Sequence, residues 1–232
     1  MKAEMALGRI HAMLLAGAAL LSIGAAAPRG IGWNSVINPG ADGSHIMGNP
    51  DARVRITEYV SYTCKACSAF AIQSEGPLRI GYISSGKVSF EVRHVLQGPI
   101  DLTIAMLAEC GPKDRFFMRH TGFLRRQASW IKPLATASAL QKQRWQYGTL
   151  AQRNRAVARD FGLYDLLEGM GTDRSVTDRC LTDAAMAERI TAQSNASKAL
   201  NITDQPGLAI NEALLGGVTT WAALRPHIDK RL

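Results

Sequence analysis

The stretch VRITEYVS runs into YTCKACSAF, and this junction restricts the fold more than any other part of the chain. VRITEYVS alternates and is rich in β-branched side chains, which predicts a strand over 53–60. From Cys64 the apolar spacing turns helical, through Phe70 and Ile72 to Leu78 and Ile80, until Gly76-Pro77 should kink or break it. Residues 87–96, KVSFEVRHVL, put Val88, Phe90 and Val92 on one face of a second strand. Strand, helix and strand of these lengths predict a parallel βαβ unit. Cys64 and Cys67 therefore sit where a strand ends and a helix begins. Unpaired N–H groups and the positive end of the helix dipole favour a thiolate there. Cys64 is placed to attack or be attacked, and Cys67, one turn on and deeper, to resolve a mixed disulfide. The pair alone leaves three readings: a redox couple, half of a metal site, or idle thiols.

The remaining pattern is helical and then β again. From about 100 to 200 no convincing strand occurs, and helices are predicted at 101–110, 113–127, around 134–147, at 149–164 and at 184–200. PGLAINEALLGG reads as two short strands about Asn211-Glu212, and TTWAALRPHIDKRL as a last helix with Thr220 as N-cap. The predicted order is βαβ, a helical insertion, then ββα. The expected organisation is a lead-in at 27–50 with one short strand near Val36-Ile37, a first half at 51–99, the insertion at 100–200 and a second half at 201–232.

The first 26 residues have the grammar of a secretory signal peptide: Lys2 and Arg9, the apolar HAMLLAGAALLSIG, then small residues, with cleavage expected after Ala26. The alternative is an uncleaved membrane anchor. Export to the periplasm suits four cysteines, because disulfides persist in an oxidising compartment. The net charge of +8 does not point to nucleic acid, since no aromatic platform interleaves the basic residues. Lys142, Arg144, Arg153, Arg155 and Arg159 read as the solvated face of one or two helices, or as a docking surface for anionic partners.

Taken together, GNPDARVRITEYVSYTCKACSAF and ALNITDQPGLAINEALLGG resemble the DsbA-like thiol:disulfide oxidoreductases of the thioredoxin superfamily, over essentially all of the chain after the signal segment. The resemblance implies an α/β thioredoxin fold, βαβ…ββα, with an inserted helical subdomain. It makes Pro206 the cis-proline facing the disulfide and Gln205 a main-chain partner for an extended substrate. It implies that Glu58 lies buried beneath the active site as a proton acceptor for Cys67, since burial raises a carboxyl pKa. It implies substrates that are thiol-containing exported proteins, a membrane quinone-linked re-oxidising partner, and no organic cofactor or metal. Cys110 and Cys180 resemble a second, structural disulfide of the helical domain.

Two positions depart from the family pattern. The dipeptide between the cysteines is commonly Pro-His and here is Lys65-Ala66, so a flexible, solvated cation replaces a histidine. That predicts a couple less oxidising than the strongest oxidases. Asp204-Gln205 stands where a small residue and Thr or Val are usual, and an acid there would repel the thiolate or select basic substrates.

Other classes need other residues. Zinc would require two more ligands near Cys64 and Cys67, whereas His45, His94, His120 and His227 stand singly and read as ordinary surface or satisfied histidines. Neither G-x-S-x-G nor a P-loop occurs. A non-redox, chaperone-like binding module, and an isomerase or reductase of the same fold, are the alternatives to an oxidase.

Overall fold

β-branched alternation and helical spacing produce the elements expected of them. The computed structural model describes residues 32–40 and 42–232, and the signal segment lies outside the described residues. Six strands form one sheet: β1 (Ile37–Pro39), β2 (His45–Gly48), β3 (Val54–Val60), β4 (Val88–His94), β5 (Gly207–Ile210) and β6 (Ala213–Leu214). Their order is β1-β2-β4-β3-β5-β6. β3 and β4 run parallel with Val54 opposite Val88, and β5 pairs antiparallel to β3 with Tyr59 opposite Gly207. The connection from β3 to β4 is α1 (Lys65–Gly76), which ends where Pro77 begins a π-helical turn over Pro77–Tyr82.

Between β4 and β5 lie α2 (Pro99–Ala108), α3 (Phe116–Arg125), α4 (Gln127–Trp130), α5 (Pro133–Thr136), α6 (Ala139–Gln146), α7 (Leu150–Asp160), α8 (Leu163–Glu168), α9 (Arg174–Leu181) and α10 (Ala184–Ala199). α11 (Trp221–Asp229) follows β6, and Thr220 caps it by accepting from the Ala223 N–H. Capping boxes start α6 at Ser138 and α7 at Thr149. Of the basic residues around α6 and α7, Arg144 pairs with Asp160 and Arg155 with Asp178.

Three features differ from the sequence expectation. The lead-in holds two strands, not one: β1 and β2 form a hairpin that adds to the edge of β4, with His45 opposite Val92. Its residues are too few and too rich in Gly and Pro to show alternation, and the existing edge of β4 supplies the pairing. A helix over Arg174–Leu181 has no counterpart in the predicted elements. Finally, the helical insertion shares its core with the sheet. Ile104, Leu107, Phe123 and Leu163 belong to the same buried cluster as Val54, Ile56 and Val92. α10 closes this packing, since Gln193 accepts from the His94 N–H and Ser194 from the Leu96 N–H, each at 2.8 Å.

Candidate active site

Cys64 is the N-cap of α1. Its backbone is extended, and its Sγ accepts the Cys67 N–H at 3.0 Å. Cys67 is fully buried and Cys64 is partly exposed. The two are joined as a disulfide with Cα atoms 5.3 Å apart. A sulfur at this position meets the free N–H groups of the first helical turn, which favour negative charge on Cys64 when the bond opens. Lys65 and Ala66 are exposed, so the Lys65 ammonium stands in solvent.

β5 brings the second landmark to the same end of the sheet. Gly207 lies opposite Tyr59, so the loop before Gly207 faces the loop after Val60 that leads to Cys64. The Gln205–Pro206 peptide bond is cis. Pro206 is buried, Gln205 is partly exposed, and the Gln205 main-chain N–H and C=O have no partner among the described residues. A Cβ on Gly207 would fall 2.4 Å from Ile202 Cγ2 and 3.3 Å from Tyr59 Cβ, which is why the close approach of this loop uses glycine. Asp204 accepts the Gly217 N–H at 2.9 Å, so its carboxylate ties this loop to the turn after β6.

Glu58 is buried on β3, with Oε2 3.5 Å from His120 Nε2 and Oε1 unpartnered. The histidines are not scattered. His45, His94 and His120 are all buried and converge from β2, β4 and α3, with Phe116 stacked between His45 and His120. Glu109 lies 2.9 Å from His45 and 3.5 Å from His94. Burial acts against its ionisation, but hydrogen bonds from the two imidazoles outweigh it and hold the Glu109 carboxyl well below its usual range. Burial, opposed by Glu109 and reinforced by the neighbouring imidazoles, pushes the His94 pKa down. Among the described residues no group of three His, Cys, Asp or Glu side chains is arranged to hold a metal ion. Separate single positions converge here because three different elements face one core, which spacing along the chain does not reveal.

Cys110 and Cys180 are joined between the end of α2 and α9, with Cα atoms 5.6 Å apart.

Comparison with known proteins agrees with this arrangement. The family model described as Thioredoxin matches residues 41–230. The chain belongs to the thioredoxin family. A crystal structure of protein-disulfide isomerase from Novosphingobium aromaticivorans superposes with a TM-score of 0.79 at 47% identity, covering 83% of this chain and 98% of that one. Wolbachia pipientis α-DsbA1 is 22% identical with a TM-score of 0.61, covering 85% of this chain and 94% of its own, and shows that the fold is DsbA-like. A curated Rickettsia bellii sequence, whose name includes the words protein-disulfide oxidoreductase, is 23% identical over 168 residues. That match covers 72% of this chain, which spans only 56% of the curated relative.

Two residues that shape the site escape sequence reasoning. Asp101, buried near the start of α2, accepts from Ser61 Oγ at 3.0 and 2.9 Å, from the Thr63 N–H at 2.9 Å, from Thr63 Oγ1 at 3.0 Å and from the Gln97 N–H at 2.9 Å. Gln127 donates to the carbonyls of Tyr62 and Cys64. Asp101 had a local signal, an acid in a first helical turn after Pro99. Gln127 had none.

Proposed function

We propose that this chain is an exported protein thiol:disulfide oxidoreductase that works through Cys64 and Cys67, most readily as an oxidase of folding proteins. The observation that carries this reading is the partly exposed Cys64 Sγ at the N-terminus of α1, bonded to a buried Cys67 beneath it. A substrate thiolate attacks Cys64 Sγ, the Cys64–Cys67 bond breaks, and Cys67 leaves as a thiolate that takes up a proton. A second substrate thiolate then attacks the substrate sulfur of the mixed disulfide, releasing the oxidised product and the Cys64 thiolate. Gln205 and Pro206 hold the substrate as an added strand beside this bond. Glu58 supports the reading as the buried carboxylate available to exchange a proton with Cys67.

Export rests on the signal-like first 26 residues, and no helix among the described residues is long and apolar enough to cross a membrane. A substrate-oxidising role needs a membrane quinone-linked partner to remove the electrons. Cys110–Cys180 serves in this reading as a structural crosslink.

A second reading, isomerase or reductase, is favoured by the name of the 47% identical Novosphingobium protein. The reduction potential of Cys64–Cys67, measured by equilibration in glutathione buffers with thiol trapping, separates the two. A value of roughly −120 to −180 mV supports the oxidase, and one near roughly −270 mV reverses the electron flow. A protein with no titratable couple would be a binding module.

A further inference from the structure

The two oxygens of Glu58 have unlike surroundings. Oε2 faces His120 Nε2 at 3.5 Å, while Oε1 is buried with no partner. His120 is held from its other side, with Nδ1 3.1 Å from the Tyr62 hydroxyl and Phe116 stacked on its ring at 5.6 Å. Burial, helped by the charges of Glu109 and Glu58, pushes the Tyr62 pKa well up, so this phenol keeps its hydrogen. Its single acceptor is His120 Nδ1, which assigns the proton of the neutral imidazole to Nε2, pointing at Glu58.

Beside this pair lies a cavity of about 30 Å³, enough for one water, lined by Glu58, His120, Ala71, Ser74, Glu75 and Thr121 among others. Ala71 and Ser74 are four and seven residues after Cys67, on the same face of α1 and one and two turns below it. At its far side is Glu75, whose side chain is 27% exposed and paired with Arg125. The cavity thus runs from the buried carboxylate under Cys67 to solvent between α1 and α3.

We propose that His120 is the positioning residue that clamps Glu58 Oε2, leaving Oε1 to exchange a proton with Cys67, and that this cavity is the route by which the proton reaches solvent. The inference rests on the oxidoreductase reading above. When Cys64–Cys67 opens, the Cys67 thiolate takes the proton from Glu58, which is reprotonated through the cavity. When the bond closes, Glu58 takes the Cys67 proton, the thiolate attacks Cys64 of a mixed disulfide, and the partner thiolate leaves. The other charged groups around the pair are His45 on β2, His94 on β4, Arg119 on α3, Asp101 on α2 and Glu109, itself held by His45 and Arg189. None of these lies within 4 Å of the Glu58 carboxylate as an ion partner, so His120 is its one ionic neighbour among the described residues.

The test is the rate at which Cys67 closes on Cys64 after the reduced protein meets oxidised glutathione, followed by acid quench and mass analysis of the trapped thiols. Two isopolar variants separate the contacts of His120. His120→Gln places an N–H where Nε2 stood and keeps the clamp. His120→Asn reaches only toward Tyr62 and loses it. Glu58→Gln should slow closure on the order of 10²-fold, the scale of a lost general base. His120→Asn should slow it about tenfold, as expected for losing a hydrogen bond to a charged group, with His120→Gln near wild type. Ser74→Val, which narrows the cavity, should also slow closure. Equal rates in the two His120 variants overturn the clamp, and an unchanged rate in Ser74→Val overturns the route. A wild-type protein that forms no mixed disulfide overturns the oxidoreductase reading itself, so the failures are distinct.

Discussion

Gln127 Nε2 donates to the Tyr62 carbonyl at 2.7 Å and to the Cys64 carbonyl at 2.9 Å, so one amide from α4 fixes the turn that presents the reactive sulfur. The amide suits the task because it carries two hydrogens and no charge, and can enter a buried site without the cost of desolvating an ion. Asp101 holds the same turn from α2 through Ser61 and Thr63. The first helices of the insertion therefore act as the clamp of the Cys64 loop.

Gln127→Leu should leave both carbonyls without their donor, and the protein should lose about 1–3 kcal/mol of stability. Urea unfolding measures this, and amide exchange at Cys67 should quicken in parallel. A loss under about 0.5 kcal/mol, the range of neutral surface changes, would show that the turn holds itself.

Lys65 stands exposed between the cysteines, and its charge favours the Cys64 thiolate through solvent. Removing it should make the couple slightly less oxidising. Lys65→Ala should lower the reduction potential by less than about 20 mV at physiological ionic strength, and the difference should shrink further in high salt. A large, salt-independent shift would contradict the solvated placement.

The Cys110–Cys180 bond closes a loop of sequence separation 70. By the chain-entropy account its removal should cost about 4 kcal/mol. Cys110→Ala/Cys180→Ala should lower the thermal midpoint while the Cys64–Cys67 potential stays where it was. A change in that potential would instead couple the second bond to the active site.

Acid should weaken the fold in two stages. The His94 pKa is held below its ordinary 6.5, chiefly by burial, so the unfolded chain binds a proton near that pH that the folded chain does not accept until lower pH. Stability therefore falls as pH drops below about 6.5, by at most about 1.4 kcal/mol per pH unit for each proton taken up. Glu109 has a folded pKa depressed from its ordinary 4.5. Its contribution is present above that value and is lost as pH falls toward the folded one. Thermal midpoints from pH 7 to 4 measure both stages, and His94→Gln should flatten only the upper one. An unchanged upper slope in that variant would remove His94 as its cause.

Local chemistry was legible in the residues. β-branched alternation marked β3 and β4, Thr220 marked the start of α11, and Cys64-Lys-Ala-Cys67 followed a strand into a helix. These features depend on neighbours within one turn or one strand, so the chain carries them without help from the rest of the fold. The β1–β2 hairpin was only half visible, because its pairing is completed by the edge of β4.

What the sequence determined by itself is the redox pair at the head of a helix, since helix dipole, N-cap and cysteine spacing are all properties of a dozen consecutive residues. The tertiary structure alone decided what surrounds that pair. His120, Gln127 and Asp101 come from positions 37 to 63 residues beyond Cys64, and His45 from the hairpin before it. Each buried polar atom must find its partner wherever packing puts one, and packing is settled by the whole core at once. Spacing along the chain therefore showed four separate histidines, and the folded protein shows three of them gathered beside the buried carboxylates Glu58 and Glu109.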